Sequence, residues 1–264
     1  MSRCFAAPYL YLMPPDHNPS AVPQPPIQTY RSVPIEECHD PLAPIPSGRV
    51  VVTEPHPYVL LGASYGNASP WMLRRGVLDA LLAAQDALEA RQPGWRLKLF
   101  DAYRPVPVQA FMVWSEFRRL AGLAGESLAD LCDPADLQRR RPALYQALAP
   151  TVFEFWAMPS DDPRTPPPHS TGAALDLTLQ DAAGRELDMG SPIDETTPRS
   201  HPDFYAQATS PPQAAFHQRR ELLNEVMTSA GFRRHGNEWW HFSLGDQMWA
   251  WAMGAPKAIY GRVG

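Results

Sequence analysis

Proline is distributed unevenly along this chain, and that distribution limits where regular secondary structure can form. Eleven of the 31 prolines lie between Pro8 and Pro46. Each proline lacks a backbone N–H and fixes φ at about −65°, so this density predicts an extended or polyproline-like segment. Residues 1–48 are therefore predicted to form an N-terminal arm, and residues 49–264 to form the folded domain. The favoured interpretation is that the arm lies along the protein surface or forms a disordered tail. The alternative is that it is a peptide bound by a domain that recognises proline-rich sequences.

The composition is that of a folded protein that does not bind nucleic acid. Of the 264 residues, 44% are hydrophobic and 19% are charged, which is enough apolar material for a core and too little charge for general disorder. The net charge is −5, the sequence pI is about 5.9, and no Lys/Arg cluster has the density of a nucleic-acid-binding surface. Nucleic acid is therefore excluded as a partner.

Cysteine usage and the N-terminal residues bear on the compartment. Cys4, Cys38 and Cys132 are odd in number and far apart, which argues against a disulfide framework, a zinc knuckle or a redox pair. The apolar stretch 5–13 is interrupted by Pro8 and makes a poor secretory signal, and no apolar run approaches the roughly 20 residues of a membrane span. A cytoplasmic protein is expected, with a periplasmic one left open. The oligomeric state is not indicated.

Hydrophobic periodicity predicts helices and strands that mix without the regular βαβ repeat of a parallel sheet. A Ser69-Pro70 start signal precedes apolar residues at helical spacing, and Pro93-Gly94 stops them. Residues 159–168 contain five prolines and are predicted to form an irregular loop. The remaining predicted elements are strands at 96–100, 173–179 and 238–244 and helices through 108–114, 134–148 and 213–230. This order favours an α+β domain with a small, mostly antiparallel sheet flanked by helices.

Two segments carry residues that could hold a metal ion. In a regular strand His169 and Asp176, seven residues apart, would lie on opposite faces. His169 must therefore sit in a loop, with Gly172 allowing the backbone to turn. Glu238 and His241 are three residues apart, so a bulge or bend is needed if both are to reach one site.

The residue types suit zinc hydrolysis. Two imidazoles and one carboxylate, from His169, Asp176 and His241, give Zn²⁺ three protein ligands and leave a fourth position for water. A second carboxylate must carry the proton from water to the leaving amine, and Glu238 fits that role. Arg104, always charged and at the end of a predicted strand, could stabilise the developing oxyanion.

Each of these residues also has a structural interpretation. A lone histidine in a loop is more often a surface or hydrogen-bonding residue than a metal ligand, and a lone glutamate beside tryptophans is usually half-exposed. The segment 101–105 could equally be a surface turn with an Asp–Arg pair. The residues taken one at a time do not predict an enzyme.

Four motifs in one order resemble a known family. They are DAYRP at 101–105, HSTGAALDLTL at 169–179, LDMGSPID at 187–194 and EWWHF at 238–242. In this order and separation they resemble the D-alanyl-D-alanine dipeptidase family of zinc metallopeptidases. The resemblance covers roughly residues 50–245. Four motifs together are far more specific than any single one.

The resemblance implies a role for each matching residue and makes 49–264 a zinc dipeptidase catalytic domain with one zinc ion per chain on its small sheet. His169, Asp176 and His241 match the family's zinc ligands, Glu238 its catalytic acid/base and Arg104 its transition-state stabiliser. Because the proline density places residues 1–40 in the arm, their removal is expected to leave zinc binding and most activity intact.

Substrate recognition is also implied by the resemblance. Asp194 matches the acidic residue that meets the free amino group of the substrate. Pro167 stands where the family commonly has a serine that helps to bind the substrate carboxylate, and proline offers neither a hydroxyl nor an N–H. The family's Asn-Phe segment has no clear copy here, although 65–67 (Tyr-Gly-Asn) lies in a comparable place. Carboxylate recognition is therefore expected to differ.

Three functions are compatible with these motifs. The leading one is hydrolysis of D-alanyl-D-alanine, or a closely related small peptide, in a closed pocket that recognises both charged termini. The nearest alternative is a D,D- or L,D-carboxypeptidase or endopeptidase acting on peptidoglycan stems. The third is a non-catalytic zinc-binding module, which would be expected to lose Glu238 or Arg104; both are present.

Overall fold

The structure, a computed structural model, describes residues 27–263 and contains two sheets surrounded by helices. The strands are β1 (Leu42–Pro44), β2 (Val51–Val52), β3 (Met72–Arg74), β4 (Arg96–Asp101), β5 (Ala174–Gln180), β6 (Arg233–Arg234) and β7 (His241–Ser243). The α-helices are α1 (Pro57–Leu60), α2 (Arg75–Arg91), α3 (Val106–Leu123), α4 (Pro134–Arg140), α5 (Pro142–Phe155), α6 (Pro211–Ser229) and α7 (Gln247–Met253). Short 3-10 segments occupy Ile27–Ser32, Pro168–Thr171 and Pro198–Ser200.

The larger sheet has five strands in the order β2-β4-β5-β7-β6. The β2–β4 pair is parallel, whereas β4–β5, β5–β7 and β6–β7 are antiparallel. Strands β1 and β3 form a separate antiparallel pair. The predicted α+β architecture, a small and mostly antiparallel sheet flanked by helices, is confirmed.

The main core follows from the alternation of β4 and β5. Leu97 and Leu99 of β4 pair with Leu179 and Leu177 of β5, and all four are fully buried. Residues directly opposite each other in an antiparallel pair share a face, so these leucines form one apolar surface. Helices α2 and α6 pack against each other and against this surface. The other face of β5, which carries Asp176, is left free for polar residues.

A second apolar cluster forms around α3, α4 and α5. Phe117 of α3 stacks on Tyr145 and meets Phe153 edge-to-face, both from α5. Tyr58 of α1 and Trp156, the residue after α5, belong to the same cluster. This cluster forms the wall of the polar face of the sheet, because Tyr58 and Trp156 both border Arg104.

Two predicted helices differ from the structure at their boundaries. The helix predicted to start at Ser69-Pro70 begins at Arg75, because 72–74 pairs as β3 with β1, a partner that local periodicity does not reveal. The single helix predicted over 134–148 is two helices divided at Arg141, which precedes Pro142 and has φ −137° and ψ 62°. A residue before proline avoids the helical region, so the division is local in origin.

The described part of the predicted arm, residues 27–48, contacts the domain closely. The buried side chain of Gln247 on α7 donates to the carbonyls of Arg31 and Val33. Arg74 pairs with Glu37 at 3.0 Å. Residues 1–26 lie outside the described residues, and the predicted boundary at residue 48 stays a prediction.

These contacts predict that truncation at residue 40 lowers the stability of the domain, whereas its effect on zinc binding and activity stays a prediction. Deleting residues 1–40 removes the Glu37 carboxylate and the Asp40 carbonyl from Arg74, whose side chain is only 8% exposed. It also takes two backbone acceptors from Gln247. Removing partners from two buried polar groups costs about 3 kcal/mol or more, which corresponds to roughly 6–12 °C in melting temperature for a domain of this size.

Calorimetry on two truncations checks this prediction. A protein lacking residues 1–26 keeps every contact named above and serves as the matched control for one lacking residues 1–40. We expect the protein that lacks residues 1–40 to have a lower melting temperature than the protein that lacks residues 1–26. Equal melting temperatures would show that residues 27–40 do not stabilise the domain.

Two further sequence-based expectations concern cysteines and membranes. Cys38 and Cys132 are free and exposed, as expected, and Cys4 lies outside the described residues. Within residues 27–263, every helix is too short or too polar to cross a bilayer.

Candidate functional site

A β-bulge brings Asp101 to the polar face of the sheet. Leu99 pairs with Leu177, but the register then shifts and Asp101 pairs with Asp176. Without the shift, strict alternation would put Asp101 on the same face as Leu99. The bulge therefore places the Asp101 and Asp176 side chains on one face, at the end of β4 where the chain enters the Arg104 loop.

His169 lies in the 3-10 turn that precedes β5, as its spacing from Asp176 predicts. Gly172 ends the turn with φ 70°, and a Cβ there would lie 2.5 Å from the Leu42 side chain. Only glycine adopts this conformation without strain and fits this close approach. The Ser170 hydroxyl donates to the Arg104 carbonyl and the Arg104 N–H donates to the His169 carbonyl, so the turn is fastened to the Arg104 loop.

The segment from Glu238 to His241 is bent, as the three-residue spacing requires. The strand predicted over 238–244 is shorter in the structure, because only His241–Ser243 is extended and paired. The bend before it brings the Glu238 Oε2 atom to 3.7 Å from His241 Nδ1. Both side chains therefore reach the same pocket.

His169, Asp176 and His241 converge on one point. One ligand atom from each lies within 4.8 Å of the others, and all three residues are buried. His169 Nε2 is 3.1 Å from His241 Nδ1, which is 3.0 Å from Asp176 Oδ1. His169 Nε2 is 3.3 Å from Asp176 Oδ2. This is a cluster that could hold a metal ion.

Hydrogen bonds select the tautomer of each histidine. His169 Nδ1 lies 2.8 Å from the Ala102 carbonyl, which can only accept, so Nδ1 carries the proton. The Ser243 hydroxyl donates to Asp246 and therefore accepts from His241 Nε2, 3.3 Å away. His169 Nε2 and His241 Nδ1 thus present lone pairs to each other and to Asp176. Such an arrangement is repulsive unless a cation lies between the three groups.

Arg104 is held by partners on every side. It donates to Asp101, Gln109 and the Tyr58 hydroxyl at 2.8–2.9 Å, and its NH2 group is 3.3 Å from Asp176 Oδ2. Burial opposes its charge, yet these groups keep its pKa well above the usual value. The guanidinium is therefore a fixed positive charge beside the histidine–aspartate cluster.

Asp194 lies in a loop held by a buried arginine. Its φ of 67° falls in the left-handed region, where aspartate is tolerated better than most residues. Arg220 of α6, completely buried, donates to the carbonyls of Met189, Arg199 and His201 on both sides of Asp194. These bonds fix the loop, so that Asp194 accepts a hydrogen bond from Tyr58 at 3.3 Å.

The acidic groups of the site differ in pKa. Burial, reinforced by the charges of Asp176 and Asp194, raises the pKa of Glu238 well above its usual value. Burial and the Asp176 charge raise the pKa of Asp194 to about 7. Burial also opposes ionisation of Asp176, but positive charge on the neighbouring imidazoles of His169 and His241 holds its pKa well below the usual value, as a bound cation would. Among the described residues that line the pocket, Arg104 is the only arginine or lysine, so the pocket favours a cationic occupant.

All six residues singled out in the sequence line this one pocket: Arg104, His169, Asp176, Asp194, Glu238 and His241. The pocket is narrow, with a volume of about 50 Å³, and residues 153–157 border it at the end of α5. Sequence reasoning missed the groups that hold these residues. They are Tyr58, Asp101, Gln109, Arg220 and the Ser243–Asp246 pair. Of these residues, only Asp101 could have been identified from the sequence, because it is the first residue of the DAYRP motif.

Comparison with known proteins assigns the chain to a family. The Peptidase_M15 family profile, described as D-ala-D-ala dipeptidase, matches residues 52–257. The chain is 43% identical over 254 residues to a D-alanyl-D-alanine dipeptidase of Synechocystis sp., covering 90% of this chain and 98% of that protein. It is 50% identical over 76 residues to the D-alanyl-D-alanine dipeptidase of Escherichia coli, covering 29% and 37% of the two chains.

A solved structure of the LdcB LD-carboxypeptidase aligns with 83% of this chain and 73% of its own, at 17% identity and a TM-score of 0.38. That likeness is too distant to inform the activity. The family match is much broader, and its range includes all six residues singled out from the sequence. The chain therefore belongs to the D-alanyl-D-alanine dipeptidase family of metallopeptidases.

Proposed function

We propose that this chain hydrolyses D-alanyl-D-alanine, or a closely related dipeptide, with the help of one bound zinc ion. The observation that carries the proposal is the meeting of three ligand atoms, one further carboxylate and one guanidinium in a single buried pocket. The proposed metal ligands are His169, Asp176 and His241. Glu238 and Arg104 are the proposed catalytic residues, and Asp194 the proposed substrate-binding residue.

The donor set fits zinc. Tetrahedral ligands at about 2.0–2.1 Å from one ion lie roughly 3.3 Å apart. His169 Nε2 and His241 Nδ1 are 3.1 Å apart, and each lies 3.0–3.3 Å from one of the two Asp176 oxygens, with both histidine lone pairs directed inward. Two imidazoles and one carboxylate are a ligand set of hydrolytic zinc sites. When bound, zinc lowers the pKa of a coordinated water to about 7 and polarises a carbonyl.

Glu238 is proposed to move the protons. It stands beside the ligand atoms, with Oε2 at 3.7 Å from His241 Nδ1, but lies outside the group of three. A carboxylate whose pKa is raised by burial is a stronger base when ionised and a competent acid once protonated. Glu238 can therefore take the proton of the attacking water and give it to the leaving amine.

Arg104 is proposed to stabilise the negative charge that develops on the scissile carbonyl oxygen. Its guanidinium is buried, permanently charged and adjacent to Asp176. Because Asp101, Gln109 and Tyr58 already orient it, little reorganisation is needed during the reaction. Preorganised charge of this kind usually makes a large contribution to catalysis.

Asp194 is proposed to bind the amino group of the substrate. Asp194 is half-buried and accepts a hydrogen bond from Tyr58, but it forms no ion pair with any residue in the described range 27–263. A carboxylate that is partly shielded from water gains from a cationic partner, and a substrate ammonium group supplies one. The same Tyr58 hydroxyl accepts from Arg104, which sets the amino-binding group beside the oxyanion-binding group.

The narrow pocket favours a short substrate over a long peptide strand. Measurement on the purified full chain tests this proposal: zinc content, and hydrolysis of D-alanyl-D-alanine, L-alanyl-L-alanine and a stem pentapeptide that ends in D-alanyl-D-alanine. We expect about one zinc per chain and efficient cleavage of the D,D-dipeptide alone. Cleavage of the pentapeptide without the dipeptide would instead assign the chain to the peptidoglycan-trimming carboxypeptidases or endopeptidases. Bound zinc without hydrolysis of any of the three peptides would favour the non-catalytic zinc-binding module.

A further inference from the structure

Tyr30, from the N-terminal segment, belongs to the same pocket as the proposed catalytic residues. Its side chain is 5% exposed and lines the pocket together with Glu238, His241 and Met248. It lies outside the range 52–257 that matches the family. The pocket wall therefore includes a residue that the matched part of the chain does not supply.

The segment that carries Tyr30 is held firmly in place. Ile27–Ser32 packs against α7. The amide of Gln247 on α7 donates to the carbonyls of Arg31, Val33 and Arg164, and Arg31 donates to the Met158 carbonyl. The segment is thus tied both to α7 and to Met158, which follows the pocket-lining residues 153–157. A side chain on such a support is a fixed wall.

Tyr30 and Tyr58 are positioned by different elements of the fold. Tyr58 contacts Arg104 and Asp194, the side proposed for the substrate amino group. Tyr30 belongs instead to the segment Ile27–Ser32, which packs against α7, and α7 follows directly after β7 and the bend that carries Glu238. Glu238 delivers a proton to the leaving amine, which belongs to the second residue of a dipeptide. The side near Glu238 therefore receives that second residue.

We propose that Tyr30 is a specificity-determining residue that limits the side chain of the second, C-terminal residue of the substrate to a small group. This inference rests on the proposed dipeptidase function. A rigid aromatic wall excludes a bulky group because a buried, well-supported ring cannot move aside without breaking its packing. The first residue of the substrate lies on the Asp194 side and is not limited by Tyr30.

The test compares full-length parent, Tyr30→Ala and Tyr30→Phe proteins on three substrates. D-alanyl-D-alanine is the reference, D-alanyl-D-phenylalanine is bulky at the second residue, and D-phenylalanyl-D-alanine is bulky at the first. We expect Tyr30→Ala to raise kcat/KM for the second substrate, relative to the reference, by about tenfold or more, since a pocket change of a few carbon atoms has effects of this order. The ratio for the third substrate should stay that of the parent. Tyr30→Phe keeps the ring and should keep both ratios.

Each outcome either supports or overturns the proposed role of Tyr30. An unchanged second-residue ratio in Tyr30→Ala, or an equal rise of both ratios, overturns the proposal. Melting temperature and zinc content establish that the variant is folded; if Tyr30→Ala does not fold, Tyr30→Leu shortens the wall with less loss of packing and gives the same comparison. The parent's activity on D-alanyl-D-alanine reports separately on the proposed function. A parent that cleaves no dipeptide overturns the function and this inference with it.

Discussion

Glu238→Gln is expected to lower kcat for dipeptide hydrolysis by about 10³-fold or more while zinc remains bound. Glutamine keeps the size of the side chain and most of its hydrogen bonding but cannot accept a proton from water. General acid–base groups typically contribute about 10²- to 10⁴-fold, and Glu238 would serve two successive proton transfers. The substituted residue lies outside the group of three ligand atoms. The zinc content of the variant should therefore stay that of the parent while its kcat falls. Steady-state kinetics with metal analysis of the same samples makes the measurement.

Glu225→Gln is the matched control for this variant. Glu225 is a surface residue of α6 that pairs with Arg91 and is 56% exposed, so the same chemical change there should leave kinetics and zinc content unaltered. Near-normal hydrolysis by Glu238→Gln would contradict the proposed mechanism. Loss of zinc from Glu238→Gln would mean instead that Glu238 is a ligand and that one of the three proposed ligands is misassigned.

Replacing any one proposed ligand by alanine is expected to empty the metal site. His169→Ala, Asp176→Ala and His241→Ala each leave two of three protein ligands, and even residues that only orient zinc ligands change metal affinity by about 10- to 100-fold. We expect less than about a tenth of the parent's zinc after dialysis, and activity reduced at least about 10³-fold, since the metal polarises the carbonyl and activates water. Metal analysis and kinetics of dialysed samples make the measurement.

His201→Ala controls for the loss of a histidine as such. His201 pairs with Glu154, and its side chain is 40% exposed and outside the group of three ligands. It should keep one zinc per chain. Treatment of the parent with a chelator should abolish hydrolysis, and added zinc should restore it, whereas neither treatment should change the alanine variants of the ligands. Full zinc occupancy in all three ligand variants would remove the assignment.

The sequence by itself determined the local geometry of the proposed ligands. Gly172 could be recognised as a turn residue because His169 and Asp176, at odd spacing, had to reach one face, and the structure has this turn with φ 70°. The alternation around Asp176 likewise places leucines on the core face and the carboxylate on the other. The bend before His241 followed from its spacing to Glu238. Such inferences succeed because glycine preference and side-chain alternation act over a few residues.

Other features depended on partners far along the chain. The start of α2 was predicted five residues or so too early because β3 pairs with β1, and the strand at 238–244 was predicted too long. The groups that orient Arg104 come from α1 and α3, and those that fix the Asp194 loop come from α6. No local pattern marks such residues, since a buried tyrosine or arginine has the same sequence signature whatever it contacts.

Tertiary structure alone decided how the pocket is completed. The bulge between Leu99 and Asp101 changes the face to which β4 directs its side chains, so that Asp101 joins the polar site instead of following Leu99 toward the core. The segment around Tyr30, predicted as part of an arm, forms a wall of that site because Gln247 binds its carbonyls. Both outcomes rest on hydrogen bonds between segments distant in sequence. Their free energy appears only when the folded chain brings donor and acceptor together.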